Sequence, residues 1–225
     1  MKKSNEPKKE RVTPVYYSPT EDFLSALTHG AGALFGVAAL ILMTMLSVES
    51  GNAAAVVASV IYGSALIILF TISTLSHALT NRSARKVFRI LDHATIFLLI
   101  AGTYTPVTLI TLKGALGWTI FGIQWGIAAI GITFDAVALN RFKKITTPLY
   151  ILMGWAIILA AYPMIQNMSP AGLIYLLGGG IFYSAGSLFY LIKKPNMHFL
   201  WHLFALIGAI LQFVAVYHYV LPSAI

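Results

Sequence analysis

Seven long apolar runs, divided by short polar joints, make up most of this chain. They cover 30–48, 53–76, 94–112, 114–134, 145–165, 172–192 and 199–221, and only the last is interrupted, by His202 and His218. A helix of roughly 20 apolar residues crosses the hydrocarbon core of a bilayer. In lipid, a helix is the simplest way for a single segment to satisfy its own backbone. The pattern therefore predicts an all-α integral membrane protein, a seven-transmembrane helix bundle over 23–225. No run is long enough to be two spans, and no joint is long enough to hold another domain. Before the bundle, residues 1–22 are polar and rich in Lys, Glu, Ser and Pro, the composition of a tail that cannot build a core of its own. That stretch lacks the apolar centre of a cleavable signal peptide.

Composition supports the same class. The chain is 58% hydrophobic and 10% charged, with a mean hydropathy of +0.81, against roughly 25% charged residues in soluble domains. The net charge of +8 does not mark a nucleic-acid binder, because the basic residues sit in small groups between apolar runs. The chain has no cysteine, which excludes disulfides and thiolate metal sites.

Those basic groups also orient the bundle. The tail carries Lys2, Lys3, Lys8, Lys9 and Arg11; the second joint Arg82, Arg85, Lys86 and Arg89; the fourth Arg141, Lys143 and Lys144; the sixth Lys193 and Lys194. On the other side stands only Lys113. The positive-inside rule then places the N-terminus in the cytoplasm and the C-terminus outside. Within the spans, Gly32 and Gly36, Gly122 and Gly126, and Gly178–Gly180 offer places for close helix approach. Pro106 and Pro163 are candidate kinks. Asp135, near the cytoplasmic end of span four, either faces the bundle interior or reaches the interface.

Candidate chemistry lies in five residues at the ends of the runs: Ser73, His77, Asp92, His198 and His202. Ser73 and His77 are four apart, as are His198 and His202, so each pair shares a helix face. All five fall at one depth, just inside the cytoplasmic basic rim, roughly 5–12 Å by helical rise. Three imidazoles at common depth point to a metal site of His77, His198 and His202, and zinc suits imidazole ligation without thiolate. Asp92 is either a fourth ligand or an outer group that orients water on the metal and takes its proton. Ser73 either hydrogen-bonds that water or a substrate oxygen, or bonds back to its own helix. His29 is a candidate supporting residue. His93, about 100° around the helix from Asp92, is expected to face headgroups or a neighbouring helix. His218 is expected at the outer interface.

The run Ser73-Thr-Leu-Ser-His77-Ala-Leu-Thr, the following Leu91-Asp92-His93 and the pair His198…His202 resemble the progestin and adipoQ receptor family, in its bacterial haemolysin III-like, membrane-homeostasis branch. Glu21…Thr28-His29-Gly30 and Gly102-Thr103-Tyr104-Thr105-Pro106 match as well. One departure is Ser25, where members often have asparagine. The resemblance covers about residues 20–220. It implies seven helices in a bacterial cytoplasmic membrane and a zinc ion held by His77, His198 and His202, with Asp92 and Ser73 beside its water. Three readings of function follow. In the first, zinc activates water against amide or ester bonds of membrane lipids, as the superfamily's hydrolases imply, with Asp92 and Ser73 as catalytic groups. In the second, zinc ties spans two, three and seven together in a protein that senses or adjusts membrane state. The third is a membrane-lysing activity, which no amphipathic pore-lining pattern supports. In all three the partners are membrane lipids and not nucleic acid.

The fourteen-to-one division of Lys and Arg carries a topology test. Reporter fusions are expected to place the N-terminus inside and the C-terminus outside; a cytoplasmic C-terminal reporter would mean a different number of spans.

Overall fold

The computed structural model of the chain describes residues 17–192 and 194–224, with side chains throughout except at 138, 140 and 142–144. Among the described residues all regular structure is helical. The helices are α1 (Pro19–Glu49), α2 (Ala53–Ala78), α3 (Arg82–Pro106), α4 (Gly114–Trp155), α5 (Ala161–Asn167), α6 (Pro170–Leu191) and α7 (Met197–Ala215). Among the described residues seven segments are long and apolar enough to cross a membrane: Pro19–Glu49, Ala53–Ala78, Arg82–Leu112, Gly114–Val137, Ile145–Asn167, Pro170–Leu191 and Met197–Ala224. The seven-helix bundle expected from the apolar runs is the fold observed.

Local chemistry explains the boundaries. α1 starts well before its apolar run because Ser18 caps it, accepting from the Glu21 N–H, with Pro19 at the first helical position and Glu21 and Asp22 in the first turn. Ser-x-x-Glu at a helix start is a capping-box pattern, and acidic residues suit the positive end of the helix dipole. Of the tail expected over 1–22, residues 1–16 lie outside the described residues, while Pro19–Asp22 already belong to α1. Asn52 and Asn81 cap α2 and α3 through their side-chain oxygens, and Ser169 caps α6. After Pro106, which has no N–H to continue the ladder, Val107–Leu112 widen into a π turn. There Thr108 Oγ1 donates to the carbonyls of Tyr104 and Thr105. Before Pro163 the chain tightens into a 3-10 segment over Ala156–Ala160. Both prolines thus mark departures from α geometry.

Spans four and five differ from the expected pair of separate helices. Helical structure continues from Gly114 to Trp155, yet the Tyr150 hydroxyl donates to Asp135 Oδ2 at 2.8 Å and Gln124 Nε2 donates to the Met153 carbonyl at 3.1 Å. A straight helix would hold residues 29 apart more than 40 Å from each other, so the chain doubles back between 137 and 145. Asp135 is fully buried and faces the bundle interior, the first of its two expected placements.

The helices close a ring. α1 packs on α2 and on α7, α2 on α3, α3 on α4, and α6 on α7, whereas α4 and α5 touch α6 only lightly. The polarity is that of a protein solvated by lipid. Leu34, Val137, Leu159 and Ile174 are at least 70% exposed, while Ser25, Ser59, Thr105, Thr108 and Asp135 are fully buried. α1 and α2 are tied by a 2.7 Å hydrogen bond between Ser47 and Ser59 and by small residues. Gly36 faces the Ile67 backbone, and a Cβ on Gly63 would come within 2.8 Å of Leu40 Cα. Gly122 and Gly126, by contrast, meet no neighbour within 4 Å and are not close-approach points.

Because Gly63 meets backbone, Gly63→Val is expected to push α1 and α2 apart and cost about 1–3 kcal/mol. Thermal unfolding in detergent measures it, with Gly122→Val as the near-neutral comparison.

Candidate metal centre

The end of α2 and the starts of α1, α3 and α7 meet at one end of the bundle. His77 lies in the last turn of α2, and His198 and His202 occupy the first two turns of α7. Their Nε2 atoms form a triangle: 3.3 Å from His77 to His198, 3.1 Å from His77 to His202 and 2.9 Å from His198 to His202. His77 and His202 are buried and His198 half-buried.

Other groups define which nitrogen points inward. His77 Nδ1 lies 2.8 Å from Asp22 Oδ1, and Asp22 also pairs with Arg85. His202 Nδ1 lies 3.0 Å from His29 Nδ1, and His29 Nε2 lies 3.3 Å from the His202 carbonyl. A consistent proton arrangement has His77 Nδ1–H donating to Asp22 and His202 Nδ1–H directed at the His29 ring, whose Nδ1 and Nε2 lie 3.0 and 2.9 Å from it. That leaves the Nε2 atoms of His77 and His202 as lone pairs facing each other. His198 cannot donate to both, so repulsion remains unless a cation sits among them. Imidazole nitrogens about 2.0–2.1 Å from one tetrahedral zinc are about 3.3 Å apart, close to the observed spacing. The three histidines are therefore placed to hold one metal ion.

Register at α7 depends on a residue far away in sequence. Asn196, at the start of α7, is left-handed (φ 64°) and its side chain caps nothing. Glu21 Oε1 instead accepts from the His198 N–H at 3.2 Å. A carboxylate from α1 thus serves as the N-terminal cap of α7. Tyr17 stacks flat on the His198 ring, 4.2 Å between centroids. Its phenol is pushed up to about 12, chiefly by burial, so it stays neutral over that ring.

Asp92, in the third turn of α3, accepts from Ser76 Oγ at 3.3 Å. It lines one cavity with His198 and His202 but is outside the group whose ligand atoms lie within 4.8 Å of one another. Ser73 Oγ is buried and turns toward the Asp92 carboxylate; it does not bond back to its own helix. Ser76 does, donating to the Ser73 carbonyl at 2.9 Å. His93 turns toward Tyr190 of α6 and lines the same cavity.

Sequence reasoning brought forward the three histidines, Asp92 and Ser73, and held His29 as a supporting residue. It missed Asp22, Arg85, Tyr17, Ser76 and the capping role of Glu21. The available signal was Ser18-Pro19-Thr20-Glu21, a helix start hidden in a stretch read as tail.

From this centre the cavity runs between α3, span five, α6 and α7 to Tyr104, Gly154 and Gln212, with mostly apolar walls. A second cavity shares those three residues and continues to Val107 and Leu176. Beside it, α6 and span five meet at the Trp155–Ser184 hydrogen bond of 2.9 Å, where little else packs.

Such a bundle, with buried histidines beside a hydrocarbon-lined cavity, defines a class of multi-pass membrane protein rather than a soluble metalloenzyme. The family described as haemolysin-III related matches residues 17–213, and the chain belongs to it. Hemolysin-3 of Bacillus cereus is 45% identical over 216 residues, 96% of this chain and 99% of that protein. Hemolysin-3 homolog of Bacillus subtilis (strain 168) is 40% identical over 200 residues, 88% and 94%. The human monocyte to macrophage differentiation factor is 28% identical over 173 residues, 72% and 70%. No solved structure matches. The resemblance to the haemolysin III-like branch is thereby borne out, and the protein is a multi-pass protein of the cell membrane.

The cap is open to test. Glu21→Ala is expected to lower stability by about 1 kcal/mol, while Glu21→Gln, which keeps an acceptor, recovers most of it. Thermal unfolding of the three proteins in detergent compares them.

Proposed function

We propose that this protein is a zinc-dependent hydrolase of membrane-lipid amides or esters, working at the cytoplasmic side of the bilayer. The observation that carries the proposal is the continuity of an apolar cavity with the three-histidine centre. A metal held for structure alone needs no such approach. His77, His198 and His202 would hold the ion, and Asp92 is outside that ligand group. When bound in this way, zinc supplies Lewis acidity and activates water near neutral pH.

The chain's own residues do the rest. Leu69, Phe70, Ile96 and Leu99 along the cavity take the hydrocarbon part of a lipid and exclude bulk water. Asp92, held by Ser76, accepts the proton of the attacking water. The Ser73 hydroxyl, beside Asp92, donates to the substrate's carbonyl oxygen. Asp22 and His29 keep His77 and His202 in the tautomers that aim Nε2 inward. The name of the Bacillus cereus relative speaks of haemolysis, and release of dye from phosphatidylcholine vesicles tests that activity separately.

The purified protein is expected to carry about one zinc per chain, and each of His77→Ala, His198→Ala and His202→Ala to lose it. Asp92→Asn should keep zinc, with affinity weakened by at most about 10–100-fold, while release of fatty acid from ceramides and phospholipids falls by about two to four orders of magnitude. Full zinc in two of the histidine variants would remove the ligand set. A zinc-loaded wild type with no turnover on any lipid would favour a structural metal in a sensor of membrane state.

A further inference from the structure

The apolar cavity is not apolar throughout. About halfway along the bundle two residues that line it carry a buried polar atom with no hydrogen-bond partner: the hydroxyl of Tyr183 and Oε1 of Gln212. Gln212 and Tyr183 line the cavity, with Thr103 opposite; Tyr62 stands behind, beside Tyr183 and Thr103. The orientation of the Gln212 amide is set by its other end, since Nε2 donates to the Leu176 carbonyl at 2.9 Å. Its oxygen is therefore a free acceptor, and the Tyr183 phenol a free donor. Between this cluster and the histidines the walls are mostly hydrocarbon, from Leu69, Phe70, Ile96, Leu99, Ile100 and Ala205, with Ser184 and Ser187 on the α6 side.

Unpaired polar groups in a membrane interior are costly, because no surrounding water offers a partner. A donor and an acceptor on two residues that line one cavity match a hydroxyl group, which accepts from one and donates to the other. Gln212 lies ten residues beyond His202 on the same helix, a rise of about 15 Å, which an extended chain covers in about twelve carbons. We infer that this mid-bilayer cluster is a subsite for a hydroxyl carried on a lipid's acyl chain, some twelve carbons from the carbonyl at the metal centre. The inference rests on the lipid reading given above. It adds a preference that the metal centre alone does not impose: Tyr183 and Gln212 select chains by an internal oxygen. The competing occupant is a buried water, which needs the same partners and would leave the protein indifferent to chain hydroxylation.

The test uses the full chain in detergent, as purified, and a fluorescent fatty acid displaced by stearic, 12-hydroxystearic or 3-hydroxystearic acid. The expected result is displacement by 12-hydroxystearic acid at a concentration at least about tenfold lower than by either other acid. Tyr183→Phe combined with Gln212→Leu should bring the three acids level. Equal displacement by stearic and 12-hydroxystearic acids in the wild type, or a preference for the 3-hydroxy acid, overturns the subsite while leaving the lipid cavity standing. Failure of all three acids to displace, or of the fluorescent acid to bind, overturns the lipid reading itself.

Discussion

Two carboxylates in the first turn of α1 hold the histidine centre together. Glu21 takes the free N–H of His198, and Asp22 takes Nδ1 of His77 while pairing with Arg85. Each bond lies near a helix end, where backbone groups lack intrahelical partners. Each also joins elements that sequence separates widely. Glu21 sets the axial position of α7, and with it the heights of His198 and His202 together, because they share one face. Asp22 fixes the rotation of the His77 ring and clamps α2 to the start of α3. A shift of α1 by one turn would undo both, so the first span acts as the clamp of a site to which it lends none of the three converging imidazoles.

The inside-out polarity of the bundle gives the centre its surroundings. Apolar side chains cover the outside, small polar groups are buried among an apolar core, and His198 and His202 line a mostly apolar cavity. Span five and α6 touch only lightly beside that cavity. For a ligand that arrives along this route, the quantity that governs occupancy is its mole fraction in the leaflet, not its concentration in solution.

Much of this was legible in the chain. Seven apolar runs show in composition alone, because a span must satisfy its own backbone and face lipid. The histidines could be assembled on paper because two are one turn apart and all three lie at one distance from basic joints, so that topology supplied what contact prediction would otherwise need. The fold-back inside α4 falls where the apolar runs place a basic joint; what hydropathy does not show is that helical structure continues through it, with the Asp135–Tyr150 and Gln124–Met153 bonds holding its two arms together. Glu21 and Asp22 were hidden for a different reason. Hydropathy places them among the charges of a tail, while their role comes from tertiary contact with α7 and α2. Gly122 and Gly126 mark the opposite case, spacing that suggests packing where no helix is near.

Glu21 and His198 are 177 positions apart, and that distance has a consequence in time. During synthesis α1 enters the bilayer with its two carboxylates, and α2 follows with His77, long before α7 exists. Until the seventh span inserts, His77 stands without the other imidazoles and Glu21 without its N–H. An ion held by these three histidines would therefore wait on the arrival of α7, and its presence would report that the seven spans have come together in the right order.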